Sequence, residues 1–357
     1  MNNRTNSALA GIFSPNALKC LYVAAASAGI FTCGCTFLYY RDTIVLKLPG
    51  AEKSVQSGAY ENALTGKDCD INDLLVELQE KDLGSGAGER FQAQMRDKAV
   101  TLLVVTGGKA AYEVVLRRMA EVLSVRRVGA PEAEGYPLDL TKVLEGHNRE
   151  CLAFTLVYLM LGRNSGLKVF PVVTRGHIMV LYDDGVNSVY VDAVRGLFER
   201  SKGKLSGRFF GTAVPPEPYL RPLTDKELGA VILANRAILL SDGEEALRNA
   251  KAATELFPKL PLAWVNLGFI NQKAGRFEEA KRAYEQALEI DATNPYAING
   301  LARLLLDGSA VGTPDPVGAI KLLERALQAH GEVPAFIRTT YRDAQRLRGD
   351  VSDRSQK

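Results

Sequence analysis

Apolar and polar positions follow three different periods along this chain. From Ile71 to Glu80 the spacing is helical, with Leu74, Leu75 and Leu78 on one stripe. Gly84 to Gly88 breaks it, and two more helical stretches follow, about Phe91 to Val105 and Ala110 to Val125. Leu152 through Leu161 is apolar on nearly every side, the mark of a helix buried all round. Asn148 is a plausible N-cap for it, which puts Cys151 in the first turn, and Gly162 and Asn164 to Gly166 end it. The period then becomes strand-like: Val169 to Val173, His177 to Tyr182, and Val189 to Val194. Asp183-Asp184-Gly185 between the last two is a hairpin signal.

From Leu223 onward the helical pattern repeats. Ala230 and Trp264, Leu233 and Leu267, Ala246 and Ala280, and Ala253 and Ala287 correspond at an offset of 34 residues. A third copy starts at Pro295 and carries five extra residues around Gly308 to Pro316. A last helix, Ala335 to Leu347, caps the stack. Small residues let neighbouring helices approach, and each pair buries its face only against the next.

The middle copy, with Trp264, Leu267, Gly268, Ala280, Tyr284 and Ala287, resembles a tetratricopeptide repeat. Asn271 stands where an aromatic is usual and Ala292 where a proline is usual; the first copy keeps Pro258 there. The resemblance covers about Glu227 to Val333. It implies a superhelical stack whose concave face binds a protein or peptide partner. A solenoid that only packs against its own neighbouring domain is the other reading.

The N-terminus changes the picture. Cys20 to Tyr40 is a run of 21 uncharged residues flanked by Lys19 and Arg41, long enough to cross a bilayer as a helix. It is read as a signal anchor holding an extracytoplasmic, periplasmic body to the membrane. Cleavage as a signal peptide, or lipid attachment at Cys33 or Cys35, is the weaker reading. The net charge of +3 is too small to argue for nucleic acid, and no cofactor is implied. Outside the anchor only Cys69 and Cys151 remain, which is no disulfide framework but leaves a bridge between them open.

Three residues then suggest chemistry. Cys151 at a helix start gains thiolate stabilisation from unpaired N–H groups. If Asp184-Gly185 is a two-residue turn, His177 faces Asp192 across the hairpin. If Tyr182 pairs with Val189, Asp192 is its diagonal neighbour on the same face. Ile178, Val180, Val189 and Val191 make the opposite, apolar face. His147 is near Cys151 in sequence but has no predictable direction, and His330 lies among the repeats. Taken singly, the cysteine also reads as a small buried hydrophobe and the His–Asp pair as a structural contact. A metal site lacks the ligand spacing.

The order Cys151, His177, Asp192 resembles the transglutaminase-like, papain-like cysteine superfamily, in a bacterial branch fused to tetratricopeptide repeats. It covers about Ala110 to Arg200. Glu150 stands where glycine or asparagine usually precedes the cysteine, and the turn before His177 is short. The resemblance implies a Cys151–His177–Asp192 triad acting as a hydrolase or acyltransferase on a peptide-like amide through a thioester. The alternative is a non-enzymatic adaptor that keeps the papain-like fold as structure.

The expected fold class is α+β. Residues 1–42 form the anchor, 43–109 a linker and helical region, and 110–222 a buried helix on an antiparallel sheet. Residues 223–349 form an all-α solenoid with its cap, and 350–357 a disordered tail.

Overall fold

The computed structural model describes residues 36–40, 43–47, 58–106, 112–123, 138–144, 150–211, 214–308, 312–329 and 334–355. Strands β1 (Thr36–Tyr40) and β2 (Thr43–Lys47) pair as an antiparallel hairpin. Helices α1 (Ala59–Leu64), α2 (Ile71–Leu83), α3 (Ala87–Thr106), α4 (Tyr112–Leu123) and α5 (Leu140–Leu144) follow. Asp70 caps α2 by accepting the Asn72 amide, so that helix starts where its apolar stripe does.

Helix α6 (Cys151–Asn164) is the centre of the globular part. Every residue from Leu152 to Gly162 is buried, as the unbroken apolar run requires. Its polar groups find internal partners: the Tyr158 hydroxyl donates to the Leu116 carbonyl and the Thr155 hydroxyl to that of Ile178. The helix lies on β3 (Val169–Thr174) and β4 (His177–Asp183). Strands β5 (Ser188–Asp192) and β6 (Leu197–Glu199) complete an antiparallel sheet in the order β3-β4-β5-β6. Ile178 and Val180, and equally Met179 and Leu181, are buried, so both faces of β4 are covered.

Helix α7 (Lys202–Phe210) leads to the repeats. These are the helix pairs α8 (Asp225–Leu239) with α9 (Gly243–Leu256), α10 (Pro261–Lys273) with α11 (Phe277–Ile290), and α12 (Pro295–Asp307) with α13 (Pro316–Ala329). Helix α14 (Ala335–Ser355) closes the stack and continues past Leu347. Thr224 and Glu227 form a reciprocal capping box at the entry to α8, and Pro261 and Pro295 occupy first helical positions. Gly268 and Gly300 both lie against the Tyr284 ring, where a methyl group at either would overlap it. The repeat therefore needs glycine there to let three helices meet.

One hydrophobic core runs unbroken from Ala59 through α6 and the sheet to Ala263. The first repeat is thus built into the globular part rather than tethered to it.

Two expectations are corrected. The expected α+β body becomes a mostly α-helical fold with one small open four-stranded sheet, because helices α1 to α4 share the core of α6. The expected membrane helix, Cys20 to Tyr40, ends instead in strand: Thr36–Tyr40 pairs with Thr43–Lys47. Threonine and aromatic residues suit a strand as well as a membrane interface. The rest of that run lies outside the described residues. Among the described residues no helix is long and apolar enough to cross a membrane. The membrane partner and the periplasmic placement, which rested on that helix, lose their support with it.

Candidate functional site

Cys151, His177 and Asp192 come from α6, β4 and β5. Tyr182 pairs with Val189 and Asp183 with Ser188, so the second of the two hairpin registers is present. A four-residue loop closes it, held by the Asp184 carboxylate accepting the amides of Val186 and Asn187. His177 Nε2 lies 3.1 Å from Asp192 Oδ2. Nε2 approaches the carboxylate off the line that ring N–H donation needs. Burial works against ionisation of Asp192, but His177 and Arg195 outweigh it and hold the carboxyl below its usual range.

The thiol is in the opposite condition. Burial first, and then the negative charge of Glu150, push Cys151 up to about 11. Backbone N–H groups of Ile178, Leu152 and Cys151 itself offset only part of this. Glu150 is the N-cap of α6 in place of the expected Asn148, and its carboxylate accepts the Leu152 amide. The residue that starts the helix is therefore also one that keeps the thiol protonated. Asn148 and His147, like His330, lie outside the described residues.

At neutral pH Cys151 is held as the thiol. Iodoacetamide labelling of Cys151, followed by peptide mass spectrometry, should be slow at neutral pH and still rising at pH 10. A plateau reached below pH 8 would contradict this environment.

The predicted thiol chemistry is corrected on these grounds. Thiol activation needs a lowered pKa and a base in contact. Among the described contacts the thiol engages backbone groups, and His177 engages Asp192 and stacks on Phe209 at 6.0 Å. A cleft of about 530 Å3 is lined by Leu116, Arg117, Val189, Phe198, Glu199, Arg200, Ser201 and Lys204, and by none of the three candidate residues. Cys69 and Cys151 are both free thiols, so the bridge left open by the sequence is not formed.

The polar groups that organise the molecule were not singled out by pattern. Arg175 and Gly176 form the two-residue turn between β3 and β4, with Thr174 paired to His177. Arg175 is buried and grips Asp291, which follows α11, with Nε at 2.7 Å from one carboxylate oxygen and Nη2 on the other. It also donates to the Thr293 hydroxyl and lies over the Phe210 ring at 4.6 Å. Tyr219 donates to Asp291, and burial raises its hydroxyl pKa. The turn thereby docks the sheet onto the junction between the second and third helix pairs. A short hairpin with arginine at its tip is the signal that sequence reading had available, but nothing local marks Asp291 as its partner.

A second joint lies at the other end of the globular part. Arg236 of α8 is 1 % exposed. It donates to Asp82 at 2.9 Å, to Glu245, to the Asn249 side chain and to the Tyr60 hydroxyl.

Two large rings stay partly exposed on the first helices of the second and third pairs, and the Tyr296 hydroxyl there lies against Gly176 of the β3–β4 turn. Phe269 of α10 and Tyr296 of α12 are 43 % and 41 % exposed, although both neighbour buried residues of the stack. Residues 261–294, which include Phe269 and form α10 and α11, match the tetratricopeptide repeat family. The chain carries a tetratricopeptide-repeat region. Small glutamine-rich tetratricopeptide repeat-containing protein 2 of Mycosarcoma maydis is 31% identical over 101 residues, 28% of this chain and 28% of that protein. The chain thus spans little more than a quarter of the length of this relative. Among solved structures, the crystal structure of menin that reveals its binding site for Mixed Lineage Leukemia (MLL) protein is 13% identical. It covers 75% of this chain and 68% of that one, with a TM-score of 0.47.

Proposed function

We propose that this protein is a non-enzymatic adaptor whose tetratricopeptide repeats hold a protein partner. In this reading α6 and the sheet form the base that fixes the repeats, and Cys151, His177 and Asp192 belong to that base. The observation that carries the reading is a large exposed ring, Phe269, on the first helix of the pair that matches the repeat family. Aromatic side chains give large contact area with few rotatable bonds, which suits an interface anchor. The raised pKa of the half-buried thiol supports the same reading from the other side.

A photo-crosslinking residue placed at Phe269 tests it, with the same residue at Phe277 on α11 as the control. Partner adducts are expected at position 269, and their yield should be unchanged in Cys151→Ala. Adducts of equal yield at both positions, or their loss in Cys151→Ala, would overturn the adaptor reading.

A further inference from the structure

The cleft between α4, the sheet and α7 has an apolar lining and a charged one. Leu116 of α4 and Val189 of β5 line it from the core, where both are buried. The Leu116 carbonyl is fixed by the Tyr158 hydroxyl of α6, and Val189 by its pairing with Tyr182 of β4. Phe198 of β6, paired with Val191, adds a half-buried ring to the lining. This part of the cleft is therefore built before any ligand arrives.

The charged lining comes from two directions. Arg117 of α4 is exposed and lies over the Phe198 ring at 4.7 Å. Lys204 of α7 is exposed, with its Nζ 3.9 Å from Glu199. Arg200 brings a third positive charge. Glu199 is the one carboxylate that lines the cleft, and its other oxygen accepts the Ser201 amide at 2.8 Å. Ser201 caps α7 by accepting the Lys204 amide on Oγ, which leaves its hydroxyl hydrogen as a donor. Positive charge thus outweighs negative around a volume of about 530 Å3, which is the size of a small-molecule site.

We infer that this cleft binds a small organic phosphate monoester, with Arg117, Lys204 and Ser201 on the phosphate and Leu116, Val189 and Phe198 against an aromatic or aliphatic body. The inference is independent of the adaptor reading and of the repeats. A phosphate dianion carries nearly two charges and three strong acceptor oxygens, so a guanidinium on α4 and an ammonium on α7 can share it. A carboxylate carries one charge on two oxygens, which a single guanidinium fork already occupies. The apolar lining separates an ester from free phosphate, since only the ester has a body to bury.

The test uses the full chain and fluorine NMR of 4-fluorophenyl phosphate, with 4-fluorobenzoate as the carboxylate counterpart. Phenyl phosphate, inorganic phosphate and a phosphotyrosine heptapeptide serve as competitors. The fluorinated ester should bind at least about tenfold more tightly than the benzoate, and inorganic phosphate should compete at least about tenfold less well than phenyl phosphate. Lowering the pH from about 7.5 to about 5 should weaken the ester, because it takes up its second proton near pH ~6. Arg117→Met with Lys204→Met should lose at least about tenfold, whereas Lys202→Met, also exposed at the start of α7 but outside the cleft, should change little. Circular dichroism checks that the variants fold. Equal losses in Lys202→Met and Lys204→Met would reduce the site to diffuse surface charge and overturn it. Benzoate binding as tightly as the ester would overturn the phosphate class. A phosphotyrosine peptide competing about tenfold better than phenyl phosphate would replace the small molecule with a modified protein. Binding by none of the probes would overturn the site altogether.

Discussion

Arg236→Met should destabilise the protein by about 3–5 kcal/mol, read as a lower urea midpoint. Methionine roughly fills the volume and keeps the helix, so the loss comes from electrostatics. Asp82 and Glu245 would stay in place with their shared cation gone. The Tyr60 and Asn249 side chains lose an ordering partner as well. The effect is large because the network ties α1 and α2 to the first helix pair, in a region belonging to one continuous core. Its pH dependence has a defined sign. In the native protein Glu245 lies below its usual range: burial opposes ionisation, but Tyr60, Arg236 and Lys81 outweigh it. Its contribution is therefore present above the ordinary carboxylate value and lost as pH falls through the lowered one. In Arg236→Met burial is no longer offset by Arg236, and the Glu245 carboxyl moves upward. The deficit relative to the native protein should then shrink as pH falls from 7 toward 4. A deficit independent of pH would contradict the network. Adding Asp82→Asn and Glu245→Gln to Arg236→Met should recover part of the loss at neutral pH.

Arg175→Ala should cost a similar amount, about 3–5 kcal/mol, by leaving the Asp291 carboxylate buried without its cation. The change should also be local in a telling way. Amide exchange should rise in the turn Thr174–His177 and around Tyr219 and Asn294, which share the cluster, before it rises in α6. Arg175→Lys should not rescue it, since an ammonium cannot match two carboxylate oxygens and lie over Phe210 at once. Uniform exchange across the whole molecule would mean that the sheet and the repeats do not meet as a separable joint.

These two arginines mark the limit of what the chain's pattern conveys. The all-apolar run after Cys151 identifies a buried helix because it is longer than a strand buried on both faces usually is. The 34-residue offsets identify the helix pairs because each must bury the same small residues against the next. Alternation around Asp184-Gly185 restricts the β4–β5 hairpin to two registers, and both place His177 and Asp192 on one face. The choice between them needed the loop, where Asp184 takes two amides and lengthens the turn. Arg236 and Arg175, in contrast, find carboxylates 154 and 116 residues away. In sequence they read as a helix surface charge and a turn charge.

The candidate site divides along the same line. Residue order and spacing show which groups lie near the start of α6 and on the β4–β5 face. They do not show dielectric surroundings, and those decide what the thiol does. Glu150 illustrates this: it departs from the usual neighbour of a reactive cysteine, and in the folded protein it caps α6 while raising the thiol pKa. The run Cys20 to Tyr40 fails for another reason. Its apolar length says nothing of the pairing that makes Thr36–Tyr40 a strand.

The most direct test of a scaffold whose work is done by its repeats is a comparison of two variants by calorimetric titration with the crosslinked partner once isolated. Cys151→Ala should bind as the unaltered chain does, while Phe269→Ala should weaken binding by about tenfold or more. Intact binding in Phe269→Ala together with its loss in Cys151→Ala would contradict the account.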